Sequence, residues 1–249
     1  MSLKIGINLI KNYSINFDLP KRSKKLIKFI IIHYTGMKKE LNAVKKLCSP
    51  NSKVSCHYFI KNNGEVVTLV PNLYVAWHAG ISNWKKYKSL NKFSIGIEIS
   101  NPGHNFKYRR FSKKQIIAII KLSRFLIKKY KIKPSNFLGH SDIAPDRKKD
   151  PGEKFPWKYL SKKKIGIWHK LNSKQLIHQR NIKIGQFEKK DFIQNLFKIG
   201  YARFKIKENS KIQKKVIIAF QRRFRQELIN GEIDKECLLI SKNLAKQIK

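Results

Sequence analysis

The sequence predicts an α/β fold with a mixed central sheet flanked by helices, followed by a small all-α domain of three helices. Three observations carry this expectation. Strand-like and helix-like runs interleave from Leu26 to Gly139, as they do in α/β proteins. After Trp157 the strand signals stop and three short helical patterns follow. At 249 residues and 41% hydrophobic content, the chain can bury one substantial core and has length left for a second, smaller one. The expected division is a first domain over 1–170, a linker over 171–185 and a three-helix domain over 186–249.

Leu26 to Ile32, "LIKFIII", is apolar on both faces over its last residues, which marks a central strand, and it delivers His33 at its end. Ser55 to Val70 reads as a hairpin, with Asn63-Gly64 supplying residues that tolerate positive φ between two β-rich runs. Phe93 to Ile99 alternates. Phe93, Ile95, Ile97 and Ile99 point one way, leaving Ser94, Gly96 and Glu98 on the opposite face. Ser112 with Gln115 predicts a capping box, after which Ile116, Ile119, Ile120, Ser123, Leu126 and Ile127 recur at helical spacing until "KIKP".

Phe137 to Gly139 reads as a short strand that delivers His140 into "GHSDIAPDRKKDPGEKFPW", a stretch too broken by Pro and Gly for a helix or strand. "KYLSKKKIGIWHKLNSKQ" is expected partly to pack and partly to link. The three helical patterns are Lys189 to Ile199, Ser210 to Gln226 and Asp234 to Ile248. In the middle one, Ile212, Val216, Ala219, Phe220 and Phe224 form one apolar stripe.

Lys and Arg outnumber Asp and Glu by 56 to 15, a net charge of +41 that favours polyanions. The excess is mostly lysine, spread along the chain with Ile and Asn. Arginine, the residue suited to bidentate phosphate or guanine recognition, is scarce. The bias therefore reads as a compositional habit, and no specific nucleic-acid partner is expected. Cys48, Cys56 and Cys237 are odd in number and have no C-x-x-C spacing, which points away from a disulfide framework or a cysteine zinc site and towards a reducing compartment. The start, "MSLKIGINLIKNYSINFDLPKRSKK", has no continuous apolar core or small-residue cleavage site, and no run approaches the length of a membrane span. A cytoplasmic location is the expectation, with a periplasmic one, by an unrecognised export route, as the alternative.

The chain has no P-loop, no G-x-S-x-G elbow and no H-E-x-x-H helix. His33 and His140 both sit where predicted strands end, the place where sites on α/β sheets collect. Asp142, Asp146, Asp150 and Glu153 lie close to His140 in the same stretch. A catalytic zinc needs three ligands from His or carboxylate and an open position for water, which two histidines and one aspartate would meet. Spacing alone does not choose the trio.

Five motifs in order, "IIIHYTG", "SCHYFI", "VAWHAG", "SIGIEI" and "GHSDIAPDRKKDPGEKFPW", resemble the zinc-dependent N-acetylmuramoyl-L-alanine amidases of the AmpD/AmiD type, relatives of the peptidoglycan recognition proteins. The match runs from about Ile30 to Trp157. The resemblance implies His33, His140 and Asp150 as zinc ligands, Glu98 as the acid that positions or deprotonates the zinc water, and Lys148 as the oxyanion partner. Lys149 stands where relatives often have a small polar residue, which leaves Lys148 against Lys149 open. Trp77 and His78 of "WHAG" are read as lining or buttressing the substrate cleft, His57 as hydrogen-bonded within the sheet, and Asp142 and Asp146 as turn-makers or caps. "FIQNLFKIGY", "AFQ" and "NGEID" resemble a three-helix peptidoglycan-binding domain.

The resemblance implies hydrolysis of the amide between N-acetylmuramic, or anhydro-N-acetylmuramic, acid and L-alanine, with peptidoglycan fragments or muropeptides as partners. The competing reading is a catalytically silent peptidoglycan-binding protein, which typically lacks a ligand that this chain retains.

Overall fold

Residues 9–11, 13–202 and 211–248 are described by the computed structural model. Part of the amino-terminal reading, and the connection over 203–210 with the expected helix start at Ser210, lie outside these residues. In chain order come β1 (Leu9–Lys11), β2 (Phe17–Asp18), β3 (Phe29–Tyr34), α1 (Glu40–Cys48), β4 (Tyr58–Ile60), β5 (Val66–Thr68), β6 (Val75–Ala76), β7 (Asn83–Trp84), β8 (Tyr87–Lys88) and β9 (Ser94–Ile99). Then follow α2 (Lys113–Tyr130), β10 (Phe137–Gly139), α3 (His140–Ile143), α4 (Trp157–Lys162), α5 (Ser173–Ile177), α6 (Gln186–Ile199), α7 (Lys211–Phe224) and α8 (Lys235–Gln247). The main sheet has six strands in the order β1-β5-β4-β9-β3-β10. Only β4 and β5 pair antiparallel; the other four pairings are parallel.

β3 is central, as its apolar run demands, and it pairs with β9 on one side and β10 on the other. It begins later than expected. Ser23 caps a short 3-10 turn at Lys24–Leu26, which takes Leu26 out of the strand and leaves it exposed. Alternation then sends β3 residues to two different cores. Ile30 and Ile32 join Ile95, Ile97 and Ile99 of β9 against Ile119, Leu122 and Leu126 of α2. Phe29 and Ile31 face the other way, into a cluster with Leu196, Val216 and Phe220 of the C-terminal helices. Farther along that second face, Phe59 and Val67 are covered by Ala43 and Leu47 of α1. His33 and Glu98 belong to this second face too, where a cleft opens that α1 edges with Ala43, Lys46 and Leu47.

α2 starts as expected. The Ser112 hydroxyl accepts the Gln115 N–H at 3.1 Å, and the Gln115 side-chain oxygen accepts the Ser112 N–H at 3.0 Å. The hairpin turn uses only one positive φ: Gly64, at +86°, donates its N–H to the Lys61 carbonyl, while Asn63 stays in the ordinary region. Phe93 does not join the β9 alternation; it closes a 3-10 turn over Leu90–Phe93.

Two expectations need correction. The Pro- and Gly-broken stretch after β10 is not free of helix, because His140–Ile143 forms one turn. The Asp142 carboxylate closes it by accepting the Gly139 N–H at 2.8 Å, and Trp157 starts α4. In α7, Val216, Ala219, Phe220 and Phe224 are buried, but Ile212, one turn before Val216 on the same face, is 41% exposed at the helix start. The same helix also buries Arg222 and Arg223, the latter two turns after Val216 on the same face.

Candidate metal centre

Parallel pairing brings the two histidines together. Gly139 of β10 lies opposite Ile32 of β3, so His140 emerges beside His33, and His33 in turn lies opposite Glu98 of β9. Asp150 returns to the same point through the backbone, where its carbonyl accepts the Ser141 N–H at 2.9 Å. His33, His140 and Asp150 are all buried, and among the described residues they form the one group of His, Cys, Asp or Glu side chains whose donor atoms converge as a metal site requires, all within 4.8 Å of one another.

The triangle is nearly equilateral. His33 Nδ1 lies 2.9 Å from His140 Nδ1 and 3.0 Å from Asp150 Oδ2, and His140 Nδ1 lies 3.1 Å from Asp150 Oδ2. Hydrogen bonds behind the rings determine what those three atoms offer. The Ser94 hydroxyl donates to the Leu90 carbonyl at 2.6 Å, so its oxygen accepts from His78 Nε2–H at 3.1 Å. His78 then presents a bare Nδ1, which accepts from His33 Nε2–H at 3.0 Å. Burial, with His33 and His57 close by, pushes the His78 imidazolium well below its ordinary range. The neutral ring therefore has only one proton to place.

By the same chain His33 is left with its Nδ1 facing the triangle. Burial, with His140 beside it, lowers its pKa to about 4. His140 donates Nε2–H to the Ala79 carbonyl at 3.2 Å, which leaves its Nδ1 facing the triangle. Burial by itself would raise the Asp150 carboxyl, but the facing imidazoles of His140 and His33 more than offset it and hold it below the usual carboxylate range. Once a cation replaces the protons that these rings share with Asp150, two ring nitrogens and one carboxylate oxygen offer lone pairs to a common centre. Three lone pairs at such distances repel unless a cation lies between them, and an N, N, O donor set suits zinc, whose tetrahedral sites hold donors about 3.3 Å apart. The residues fit a metal ion.

The cleft in front of the triangle has a volume of about 180 Å³ and is lined by Glu98, Lys148, Lys46, Trp77 and His78 as well as the two ring ligands. One Glu98 oxygen is buried with no hydrogen-bond partner, and burial, with Asp150 near, raises this carboxyl to about 8. Lys148 faces the cleft and acts electrostatically on both Glu98 and His33. Lys149 is exposed and does not line the cleft. The Trp77 indole N–H donates to Asp18 at 2.6 Å, holding the ring at the cleft rim. His57 is buried in the sheet, where its Nδ1 accepts the Gly96 N–H at 3.0 Å.

Several positioning groups carry no signal of their own in the sequence. Ser94 sets the proton order of two histidines from a strand position that reads merely as polar. Gly96 makes room for His78: a Cβ there would lie 2.4 Å from the imidazole Cγ. Arg147 donates to the Ala79 and Ile81 carbonyls at 2.6 and 2.5 Å, bracing the loop that supports His140. Asp142 caps α3 as expected, and it also receives Tyr201 and Arg223 from the C-terminal part. Its partners lie 59 and 81 residues away, beyond any local pattern.

A site of this build, on the strand ends of a largely parallel sheet with a carboxylate and an ammonium beside three metal-type donors, defines the class of metal-assisted hydrolases. Residues 22–153 match the family model described as N-acetylmuramoyl-L-alanine amidase. The chain is 36% identical to the N-acetylmuramoyl-L-alanine amidase AmiD of Escherichia coli over 89% of its own length and 83% of that relative. It is 42% identical to the 1,6-anhydro-N-acetylmuramyl-L-alanine amidase AmpD of Salmonella typhimurium, over 42% of this chain and 54% of that one. The solved complex of E. coli AmiD with the substrate anhydro-N-acetylmuramic acid-L-Ala-D-gamma-Glu-L-Lys superposes with a TM-score of 0.78 at 34% identity, covering 92% of this chain and 93% of that one. The chain belongs to the N-acetylmuramoyl-L-alanine amidase family.

Proposed function

We propose that this amidase hydrolyses the bond between the lactyl carbonyl of N-acetylmuramic, or anhydro-N-acetylmuramic, acid and the amine of L-alanine in peptidoglycan fragments, with zinc held by His33, His140 and Asp150. The observation that carries the reading is the triangle of three converging donors, with Glu98 and Lys148 facing it across one cleft. When bound, zinc supplies Lewis acidity that makes a water nucleophilic near neutral pH and polarises the scissile carbonyl.

The chain's own groups do the rest. Glu98 takes a proton from the attacking water as its oxygen bonds to the carbonyl carbon, and it returns that proton to the L-alanine nitrogen as the carbon–nitrogen bond breaks. Its unpartnered oxygen is free for this transfer, and a pKa raised into the neutral range suits a group that must act first as base and then as acid. The Lys148 ammonium faces the negative charge that develops on the carbonyl oxygen. Trp77 and His78 form part of the wall against which the muropeptide lies.

The same reading keeps 1–170 as the catalytic domain, 171–185 as a connector and 186–249 as a peptidoglycan-binding-like domain. Three cysteines without disulfide partners support a reducing, cytoplasmic setting, and no described helix is long and apolar enough to cross a membrane. Mass spectrometry of products from defined anhydro and reducing muropeptides, with and without chelator, tests the activity. Chelator-sensitive release of a stem peptide beginning with L-alanine is expected. No release by the zinc-loaded protein on either substrate would overturn the proposal.

A further inference from the structure

The C-terminal helices grip the segment that carries the metal ligands. Arg223 of α7 is ion-paired with Asp142 of α3 at 2.6 Å, and their side chains are only 2% and 1% exposed. Its second amine donates to the Phe137 carbonyl at 3.0 Å, and its guanidinium lies 4.5 Å from the Trp157 ring centre. Tyr201, just after α6, donates to the other Asp142 oxygen at 2.9 Å. Lys215 donates to the Asp146 carbonyl at 2.8 Å, and Gln226 to the Phe155 carbonyl at 2.7 Å.

A second arm reaches the far end of the same segment. Arg222 lies 3.8 Å from Glu153, which also accepts from His104 at 3.0 Å. The other His104 nitrogen accepts from the hydroxyl of Tyr34, the residue after His33. Between them, these contacts span Phe137 to Trp157, and His140, Lys148 and Asp150 lie inside that span.

Asp142 is the link to the donor atoms. Its carboxylate closes the turn that starts at His140, and the next residue, Ser141, donates its N–H to the Asp150 carbonyl. A carboxylate buried to this degree is untenable without its cation, since removing one member of a buried pair leaves an uncompensated charge. Without α7, then, Asp142 turns out to water, the Gly139 N–H loses its acceptor, and the turn that aims His140 relaxes.

We propose that the C-terminal helical unit is a built-in clamp on the ligand-bearing segment, with Arg223 as the positioning residue, so that the metal site is completed by residues outside the catalytic sheet. The proposal rests on the metal-site reading above, and its test separates the two. In the full chain, Arg223→Met and Arg223→Lys are compared with the unaltered protein by amide hydrogen exchange of the metal-free form and by zinc affinity from chelator competition.

For Arg223→Met, the Ser141, Ala144 and Lys148 amides should exchange at least about tenfold faster while β3 and β9 amides keep their rates, and the zinc Kd should weaken by about 10- to 100-fold. Arg223→Lys should recover part of both effects. If Arg223→Met does not fold, Arg223→Lys and Tyr201→Phe are read in the same way, with losses of about threefold or more expected. Zinc affinity and segment exchange within about twofold of the unaltered protein, or faster exchange spread evenly over the sheet, would overturn the clamp alone. An unaltered protein that binds no zinc would overturn both readings.

Discussion

Lys148 and Lys149 are sequence neighbours with opposite surroundings: one lines the cleft beside Glu98 and the other is exposed. The turn ending at Lys148, whose N–H bonds the Ala144 carbonyl at 3.0 Å, sets this difference. Replacing Lys148 by Met should lower kcat by about 10²- to 10³-fold, in line with removal of a single oxyanion-stabilising donor, with zinc content unchanged. Lys149→Met should stay within about twofold of the unaltered enzyme. Steady-state kinetics with metal analysis on both variants checks this, and equal losses would show that the cleft-facing lysine has no special part. Glu98 makes a parallel case: Glu98→Gln keeps the shape but cannot cycle a proton, so kcat should fall by about 10²- to 10⁴-fold with KM little changed.

The elements show what can be read locally and what cannot. The α2 capping box and the central strand β3 were legible because each is written within a few residues. The one-turn helix at His140 was not, because the side chain that stabilises it, Asp142, gains its burial from α7. The β9 alternation correctly placed Ser94, Gly96 and Glu98 on one face, yet it could not show that His78 packs flat over Gly96. The resemblance named His33, His140 and Asp150, and the fold brings their donor atoms into one triangle; the proton order behind them came only from contacts between β3, β9 and the loop at His78. Gly96→Ala tests this layer. The added methyl must displace the His78 ring, so stability should fall by about 1–3 kcal/mol and zinc affinity by about 10- to 100-fold, read by thermal unfolding and chelator competition. Wild-type zinc affinity in that variant would mean the His78 bridge to His33 is dispensable.

At the scale of the whole molecule, a sheet covered on one face by α2, and on the other by α1 and the C-terminal helices, leaves a gap among the described residues, and the site fills it. A larger groove of about 610 Å³ between α6 and α8, edged by Lys198, Lys242 and Lys246, lies apart from it and holds no comparable donor cluster. Buried neutral histidines shape the response to pH. His169, just before the connecting segment, has its pKa lowered to about 4 by burial and by Lys158. The unfolded chain takes up a proton near pH 6.5 that the folded one refuses, so this residue's contribution to stability shrinks as pH falls from about 6.5 towards 4. Glu98, raised by burial, has the opposite slope in the metal-free protein. The His169 share is therefore isolated by comparison: His169→Gln should flatten the loss of stability on acidification by up to about 1.4 kcal/mol per pH unit. Parallel curves for the two proteins in denaturant titrations between pH 6.5 and 5 would contradict it.

The central claim is that His33, His140 and Asp150 together form a zinc site that the amidase reaction requires. Calorimetric titration of the metal-free protein with zinc tests this most directly, alongside the Asp150→Ala variant. One zinc per chain with the unaltered protein, and loss of stoichiometric binding in the variant, is the predicted result. Full stoichiometric zinc binding by Asp150→Ala, or no saturable binding by the unaltered chain, would contradict it.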